Sequence, residues 1–325
     1  MYIVSLNTFM IINIPMKIDH DVCAIVVTYN PSLSKLEALI NAILPQVQGV
    51  VVVDNGSHMD AVEWLQIQQR EGRLSLLTLG ENLGVAAGHN RGIAWAQQNK
   101  FTHVLLLDQD SIPADNMVER LLSALMDLQS QGISVSGVGP RYTDPVTGHS
   151  AWFNQFGPLK YRAVYCSGSE TRYIPSEFLI SSGTLIPFEA LDAVGPMDDG
   201  LFIDLVDTEW FLRAGARGYR AFGVCDAVMY HSVGERLVKL WIGRWQHIPY
   251  HTPLRHYYYF RNAIMVARRD YVPFQWIMNE SVQLAFMFVV FTLTAPPRLQ
   301  QVRMMLKGVW DGIRGRAGKY TGNAG

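Results

Sequence analysis

Four short apolar runs mark the first third of the chain, and polar residues follow each of them at once. Val22 to Thr28 is continuously apolar and largely β-branched, the pattern of a strand covered on both faces as in a parallel sheet. Ser34-Lys-Leu-Glu37 has the form of a capping box, and Leu36, Leu39, Ile40, Ile43 and Leu44 follow at helical spacing up to Pro45, which predicts a first helix. Val50 to Val53, Leu74 to Leu79 and Val104 to Leu107 predict the next three strands. They stop at Asp54-Asn55-Gly56-Ser57, before Asn82-Leu83-Gly84, and at Asp108-Gln109-Asp110. Strands alternating with helices call for right-handed crossovers and a parallel sheet, and such a sheet binds ligands beyond the carboxyl ends of its strands. With Tyr29-Asn30 after the first strand, four separate segments then converge on one crevice.

Further along, Leu205, Val206, Trp210 and Leu212 predict a helix in which Asp207, Glu209 and Arg213 crowd an apolar segment, and Ala227 to Tyr230 predicts a strand that ends at His231. Trp276 to Leu293 is interrupted by Asn279, Glu280, Ser281 and Gln283, so no segment reaches the 18 or more apolar residues of a spanning helix. After Pro296-Pro297, the positions Leu299, Val302, Leu306, Val309 and Ile313 keep helical spacing among Arg298, Arg303, Lys307, Arg314 and Arg316. That pattern suits a helix lying in the headgroup layer of a membrane, or a helix packed on the body with a solvated basic face.

Composition narrows the class. The chain has 325 residues, 49% of them hydrophobic and 17% charged, which excludes disorder, collagen and coiled coil. The net charge of -1 hides a division: 14 Lys+Arg stand against 25 Asp+Glu up to Glu235, and 13 against 3 from Arg236 onward. An acidic front and a cationic, aromatic-rich rear predict a catalytic body joined to a segment that meets phosphates or an anionic membrane surface. No nucleic-acid partner is indicated. The three cysteines, Cys23, Cys166 and Cys225, lack CxxC spacing, so neither a disulfide scaffold nor a thiolate zinc site is expected, and a reducing cytoplasm fits. The apolar stretch 1–16 lacks the basic start and the cleavage site of a signal peptide, which leaves Met16 open as an alternative start. The domain expectation is a leader over 1–20, a catalytic domain over 21–265 and a basic amphipathic helical segment over 266–325.

Candidate chemistry sits at the predicted strand ends. Asp108 and Asp110 are two carboxylates two residues apart where an apolar strand runs out, placed to share one hard divalent cation, Mg²⁺ or Mn²⁺, with a diphosphate; the plainer alternative is a turn. Asp54 can accept from a base N–H or a ribose hydroxyl, or simply hold its Asn-Gly turn. From Asn82 through Gly84 and Gly88 to Asn90 and Gly92, small residues at four-residue spacing open a helix, so backbone can approach a ligand and N–H groups can face an anion. Asp207 is the candidate general base, whereas Glu209 is expected to pair with Arg213. His231 can complete a metal shell or be structural.

Together, Thr28-Tyr29-Asn30-Pro31, Val53 to Ser57, Asn82-Leu-Gly84 through Asn90-x-Gly92, Leu107-Asp108-Gln109-Asp110-Ser111, Ser182-Gly183 and Phe202-Ile203-Asp204-x-x-Asp207-x-Glu209-Trp210-x-x-Arg213 resemble inverting family 2 glycosyltransferases, and among them bacterial rhamnosyltransferases. The likeness covers about Val22 to Asn262 with the motifs in order; His251 to Tyr258, Arg261-Asn262 and Gly308-Val-Trp-Asp311-Gly312 also look like that subgroup. Gly88 and His89 depart from it, standing where small and amide side chains are more usual. The resemblance implies an α/β fold of the GT-A type, a mostly parallel central sheet flanked by helices with a C-terminal helical extension. It implies transfer of L-rhamnose from dTDP-L-rhamnose, with inversion, to a saccharide or polyprenyl-diphosphate-linked acceptor in cell-surface polysaccharide synthesis at the cytoplasmic face of the membrane. Donor contacts would come from Thr28, Tyr29, Asn30, Asp54, Asn55, Asn82, Gly84, Asn90 and Asp108, and metal ligands from Asp108, Asp110 and His231. Acceptor contacts would come from Ser182, Gly183, Trp210, Arg255 and Arg261, with Asp207 as the base.

Three other readings share parts of this pattern. One is a family 2 transferase with a UDP-sugar donor. A sugar nucleotidyltransferase should carry a Gly-rich, Arg-containing loop where Tyr29-Asn30-Pro31-Ser32 stands. A non-catalytic carbohydrate-binding homologue would hold the donor without turnover.

Overall fold

The computed structural model describes residues 21–143, 152–166, 172–230, 237–241, 245–249 and 251–322, with backbone alone for 237–241 and 245–249. The expected leader and His231 lie outside the described residues. The first half runs β1 (Val22–Thr28), α1 (Leu33–Ile43), β2 (Gly49–Asp54), α2 (Met59–Arg70), β3 (Ser75–Thr78), α3 (Val85–Gln98), β4 (His103–Asp108), β5 (Ile112–Pro113), α4 (Met117–Ser130) and β6 (Val135–Thr143). Then come the short strands β7 (Phe153–Gln155), β8 (Arg162–Val164), β9 (Tyr173–Ser176) and β10 (Leu185–Pro187), followed by α5 (Phe188–Val194), α6 (Val206–Ala216) and the long β11 (Arg220–Tyr230). A hairpin, β12 (Leu237–Trp241) and β13 (Trp245–Pro249), precedes three helices, α7 (Pro253–Ala267), α8 (Phe274–Thr294) and α9 (Arg298–Ile313).

The main sheet has the order β3-β2-β1-β4-β10-β6-β11-β5, with β9 also paired to β11. Its first half is parallel: β1 lies between β2 and β4, and β2 pairs with β3. β10 enters antiparallel between β4 and β6, which makes the sheet mixed. Alternate residues of the parallel strands bury on opposite faces, as period-2 geometry requires. Cys23, Ile25, Val51 and Val53 meet α3 and α6 on one side, while Val22, Ala24, Val50 and Val52 meet α1 and α4 on the other.

Three sequence expectations change here. The helix predicted from Ser34 starts a residue earlier, after an extended Ser32 that makes no side-chain cap, so Ser34-x-x-Glu37 is not a capping box. The small residues of α3 serve the sheet and not a ligand: a Cβ on Gly88 would lie 2.6 Å from Val27 Cγ1, and one on Gly92 would lie 2.3 Å from Ile25 Cγ2. A disulfide joins Cys166 to Cys225, so the pairing that the spacing did not suggest is made by the fold. The case for a reducing compartment rested on unpaired cysteines and loses that support.

In the C-terminal helices, α9 lies against α7 through Gly308 and Gly312, where a Cβ would fall 2.5 Å from the Tyr257 carbonyl oxygen and 2.6 Å from that of Arg261. Asp311, between these glycines, is buried and accepts from Tyr257, Lys307 and Arg316. The predicted apolar stripe of α9 is divided: Leu299, Leu306 and Ile313 are exposed, with Trp310 beside them, whereas Val302 is half-buried and Val309 packs against the cluster of Phe260, Phe291 and Met305. α8 is a single helix of 21 residues, long and apolar enough by length and composition to cross a membrane, unlike the interrupted run read from the sequence. It nevertheless packs Trp276, Asn279, Glu280, Val290 and Phe291 into the body and leaves Val282, Phe286, Val289 and Leu293 exposed along one side.

Candidate functional site

The carboxyl ends of β1, β2 and β4 are tied together by side chains of the polar clusters that follow them. The Tyr29 N–H donates to Gln109 Oε1 at 2.8 Å, which fixes the β1 exit against the β4 exit. The Asn30 N–H donates to Ser57 Oγ at 2.9 Å, and the His58 N–H donates back to Asn30 Oδ1 at 2.9 Å. Asp54 is 1% exposed, and its carboxylate accepts from the Thr28 hydroxyl and from the Gly56 and Ser57 N–H groups at 3.1–3.2 Å. It holds the turn at the end of β2, as an Asx-type turn does. Asn55 donates to Asn82 Oδ1, which also receives the Gly84 N–H, while Asn55 Oδ1 receives the Leu83 N–H. The Val85 N–H donates to the Phe202 carbonyl at 2.7 Å. The N–H groups of Leu83, Gly84 and Val85 are thus spent on the protein and are not offered to a ligand.

The Phe202 contact joins the α3 start to the segment that carries Asp207. Phe202, Asp204 and Leu205 all have positive φ (65°, 64° and 60°), a costly run for residues with side chains. Asn262, fully buried on α7, over-determines it: its amide group donates to the carbonyls of Leu201, Ile203 and Asp204 at 2.7–2.9 Å. The bend delivers Asp207 to the first turn of α6, where its two oxygens accept from the Thr208 N–H at 2.7 Å and the Ser181 N–H at 2.9 Å. Burial pushes the Asp207 pKa above the usual carboxylate range, and the nearby Asp204 charge adds to it, against the pull of the two N–H groups. Two residues on, Glu209 makes the expected pair with Arg213, bidentate at 2.8 and 2.9 Å.

A cleft of about 880 Å³ opens at this rim. Tyr29, Asn55, Asn82, Gly84, Asp108 and Asp110 line it, as do Asp207 and Arg255 from the far side. Arg255 forks onto Asp204, with Nε and Nη2 each 3.0 Å from Oδ1. The four predicted segments therefore meet, but not every predicted residue reaches the space. Thr28 and Asp54 are buried beneath the rim. Asn30 braces the neighbouring turn, and Asn90 clasps both backbone groups of Met197. Ser182 receives the Asp108 N–H and bonds Ser111, while Gly183, at φ 75°, packs on Met229 and Pro140. Trp210 is fully buried and donates to the Gly195 carbonyl. Arg261 is 1% exposed, stacked by Tyr258 and bonded to the Gly200, Leu201 and Gly318 carbonyls. For these last four the expected acceptor contact is replaced by support of the walls; only Arg255 of the acceptor set reaches the cleft.

Among the described residues no group of three or more His, Cys, Asp or Glu is arranged to hold a metal ion. Asp108 and Asp110 supply two carboxylates facing the same space, a hard-oxygen donor pair that fits Mg²⁺ or Mn²⁺ when substrate phosphates complete the shell.

His89 also lies off the cleft. It is 1% exposed, neither ring nitrogen has a hydrogen-bond partner, and burial pushes its pKa down to about 4. A histidine depressed in the fold takes up its proton on unfolding once pH falls below about 6.5, so stability is lost between pH 6.5 and 4. The loss approaches about 3 kcal/mol for a shift of this size. His89→Leu should flatten that dependence in urea titrations at pH 7.5, 6 and 5, and an unchanged slope would show that this imidazole is not the group responsible.

The family model described as glycosyl transferase family 2 matches residues 23–194. The chain is 32% identical over 305 residues to the dTDP-rhamnosyl transferase RfbF of Shigella flexneri, covering 94% of this chain and 99% of that protein. Among solved structures it is similar to S. aureus TarS 1-349, with a TM-score of 0.56 at 17% identity, covering 90% of this chain and 81% of that one. It spans 49% of a longer TarS chain, with a TM-score of 0.54 at 16% identity over 91% of this chain. It is also similar to GalNAc-T7 solved with UDP, GalNAc and Mn²⁺, with a TM-score of 0.56 at 14% identity, covering 91% of this chain and 56% of that one. These likenesses place the mixed sheet and its helices in the GT-A class of α/β folds.

Proposed function

The chain belongs to glycosyl transferase family 2, and from that membership we propose that it transfers L-rhamnose from dTDP-L-rhamnose, with inversion, to a hydroxyl of a lipid-linked saccharide in cell-surface polysaccharide synthesis. The observation that carries the reading is the convergence of Asp108 and Asp110, at the end of β4, with Asp207, from a segment about 100 residues further on, on one cleft. The donor assignment is supported by the dTDP-rhamnosyl transferase relative.

In this reading Tyr29 and Asn55 receive the nucleoside, with Asp54 and Thr28 shaping the turn beneath it. Asp108 and Asp110 would hold Mg²⁺ or Mn²⁺, which when bound would neutralise charge on the diphosphate. Arg255, exposed over the cleft, adds a positive charge within reach of that group. Asp207 takes the proton from the acceptor hydroxyl as its oxygen bonds to the anomeric carbon. The bond to the diphosphate oxygen breaks on the opposite side, carrying its electron pair away with dTDP. A carboxylate fixed by two N–H groups and partly withdrawn from water is oriented and basic enough for that step. The test is a screen of nucleotide sugars with each divalent cation. Release of dTDP from dTDP-L-rhamnose, lost on chelation, supports the assignment; preference for a UDP-sugar, or pyrophosphate as product, contradicts it.

The exposed sides of α8 and α9 support peripheral attachment to an anionic, cytoplasmic membrane face. Leu306, Trp310 and Ile313 project beside the exposed Arg303 and Arg314, the combination expected of a helix seated at the headgroup boundary. The protein should sediment with anionic vesicles at low salt and be released by high salt. Trp310→Glu with Leu306→Glu should abolish sedimentation, and equal binding by that variant would contradict the attachment.

A further inference from the structure

The cleft does not end at Asp207. It is also lined by the aromatic rings of Trp152, Tyr161 and Phe178, by Tyr259 from α7 and by Glu280 from α8, and since Tyr161 meets Phe178 edge to face at 5.5 Å and bonds Glu280, these residues make up one lobe of it. Glu280 is 3% exposed, and its Oε2 accepts from the Tyr161 hydroxyl at 3.0 Å. The Tyr259 hydroxyl also faces this carboxyl, yet Oε1 has no hydrogen-bond partner. Among the described residues no cation pairs with Glu280. A buried carboxyl without a counter-charge and with one idle oxygen is costly to keep. The fold of α8 does not need it either, because a neutral amide could hold Tyr161 as well. What the lobe offers instead is a carboxyl whose unused acceptor oxygen lies just beneath its surface, and flat aromatic faces, which suits a neutral ligand with hydroxyls on one edge and C–H groups on its faces. An anion would meet Glu280 unfavourably.

We propose that this lobe is the binding site for the acceptor's sugar, a neutral hexopyranose whose hydroxyl donates to Glu280 Oε1 while its ring lies against the aromatic wall of Trp152 and Tyr161. The proposal rests on the transferase reading above and extends it, since Asp207 lies in the same cleft as the lobe. It also gives α8 two functions on opposite sides: Glu280 toward the cleft, and Val282, Phe286 and Val289 toward the surface from which a lipid-linked acceptor would arrive.

The experiment uses the full chain with dTDP-L-rhamnose, Mn²⁺ and a panel of neutral p-nitrophenyl hexopyranosides, reading glycoside-stimulated dTDP release and saturation-transfer NMR of glycoside binding. Loss of the hydrogen bond to Oε1 should raise the glycoside KM about tenfold in Glu280→Leu, the size of one lost hydrogen bond, and less in Glu280→Gln. Affinity for dTDP, measured by calorimetry, should stay within about twofold of wild type. Trp152 is 51% exposed, so Trp152→Ala can be made without risk to the fold and should weaken glycoside binding by NMR. Unchanged glycoside KM and NMR contacts in Glu280→Leu and Trp152→Ala would overturn the subsite. So would a parallel loss of dTDP affinity, which would assign Glu280 to holding the fold. If the wild type releases no dTDP under any condition, the transferase reading fails, and the NMR arm still decides whether the lobe binds the glycosides.

Discussion

Asp207→Asn is expected to lose transfer by about three to four orders of magnitude while still binding dTDP-L-rhamnose, as removal of a general base does. Asparagine has nearly the same shape, so the first turn of α6 and the Val206 to Trp210 packing against the core should persist. It can still accept one of the two N–H groups that now meet the carboxylate, from Ser181 and Thr208. What it cannot do is take a proton. The same assignment fixes a sign for pH: burial raises the Asp207 pKa, so the acid limb of kcat/KM should lie above the ordinary carboxylate range, with activity rising as pH passes that limb. Residual activity in the variant should lack the limb. A variant with near-normal turnover would remove Asp207 from the mechanism.

Asn262→Ala should have the next largest effect, although Asn262 does not line the cleft. The segment from Phe202 to Leu205 holds three of its four residues at positive φ, a conformation that does not persist without outside support. Asn262 supplies that support through three carbonyls, and Arg261 bonds one of the same three, that of Leu201, and the Gly200 carbonyl just upstream. Truncation leaves buried carbonyls unpaired, a loss of about 3 kcal/mol of stability. Below the lowered melting midpoint the bend should relax, and kcat should fall about 100-fold, because displacement of a catalytic group by about 1 Å costs that much. The bend also receives the Val85 N–H, so donor affinity should weaken as well. A stable variant with wild-type kcat would show that the strained bend is not held for catalysis.

Much of the site was legible because parallel strands announce their ends. A strand covered on both faces reads as an unbroken apolar run, so the residue at which Val53 gives way to Asp54, or Leu107 to Asp108, falls at the end of the sheet where the cleft opens. The antiparallel β10 has only three residues, too short for any period, and its reversal was not visible. Side-chain direction was the other blind spot. Trp210 and Arg261 are residue types common in sugar sites, yet one fills the core and the other spends its donors on carbonyls some 60 positions away. Asn262 stood beside Arg261 in a noted motif, but nothing local tells an amide which carbonyls it will reach. Glu280 counted in the sequence only as an interruption of an apolar run, whereas in the fold that interruption is the polar side of α8 turned into the cleft.

The central claim is that Asp108, Asp110 and Asp207 serve one activated sugar, and a crystal structure with dTDP-L-rhamnose and Mn²⁺, phased for the manganese signal, tests it most directly. The account predicts manganese between the Asp108 and Asp110 carboxylates and the diphosphate, with the anomeric carbon turned toward Asp207. Manganese bound elsewhere, or a nucleotide seated outside this cleft, would contradict it.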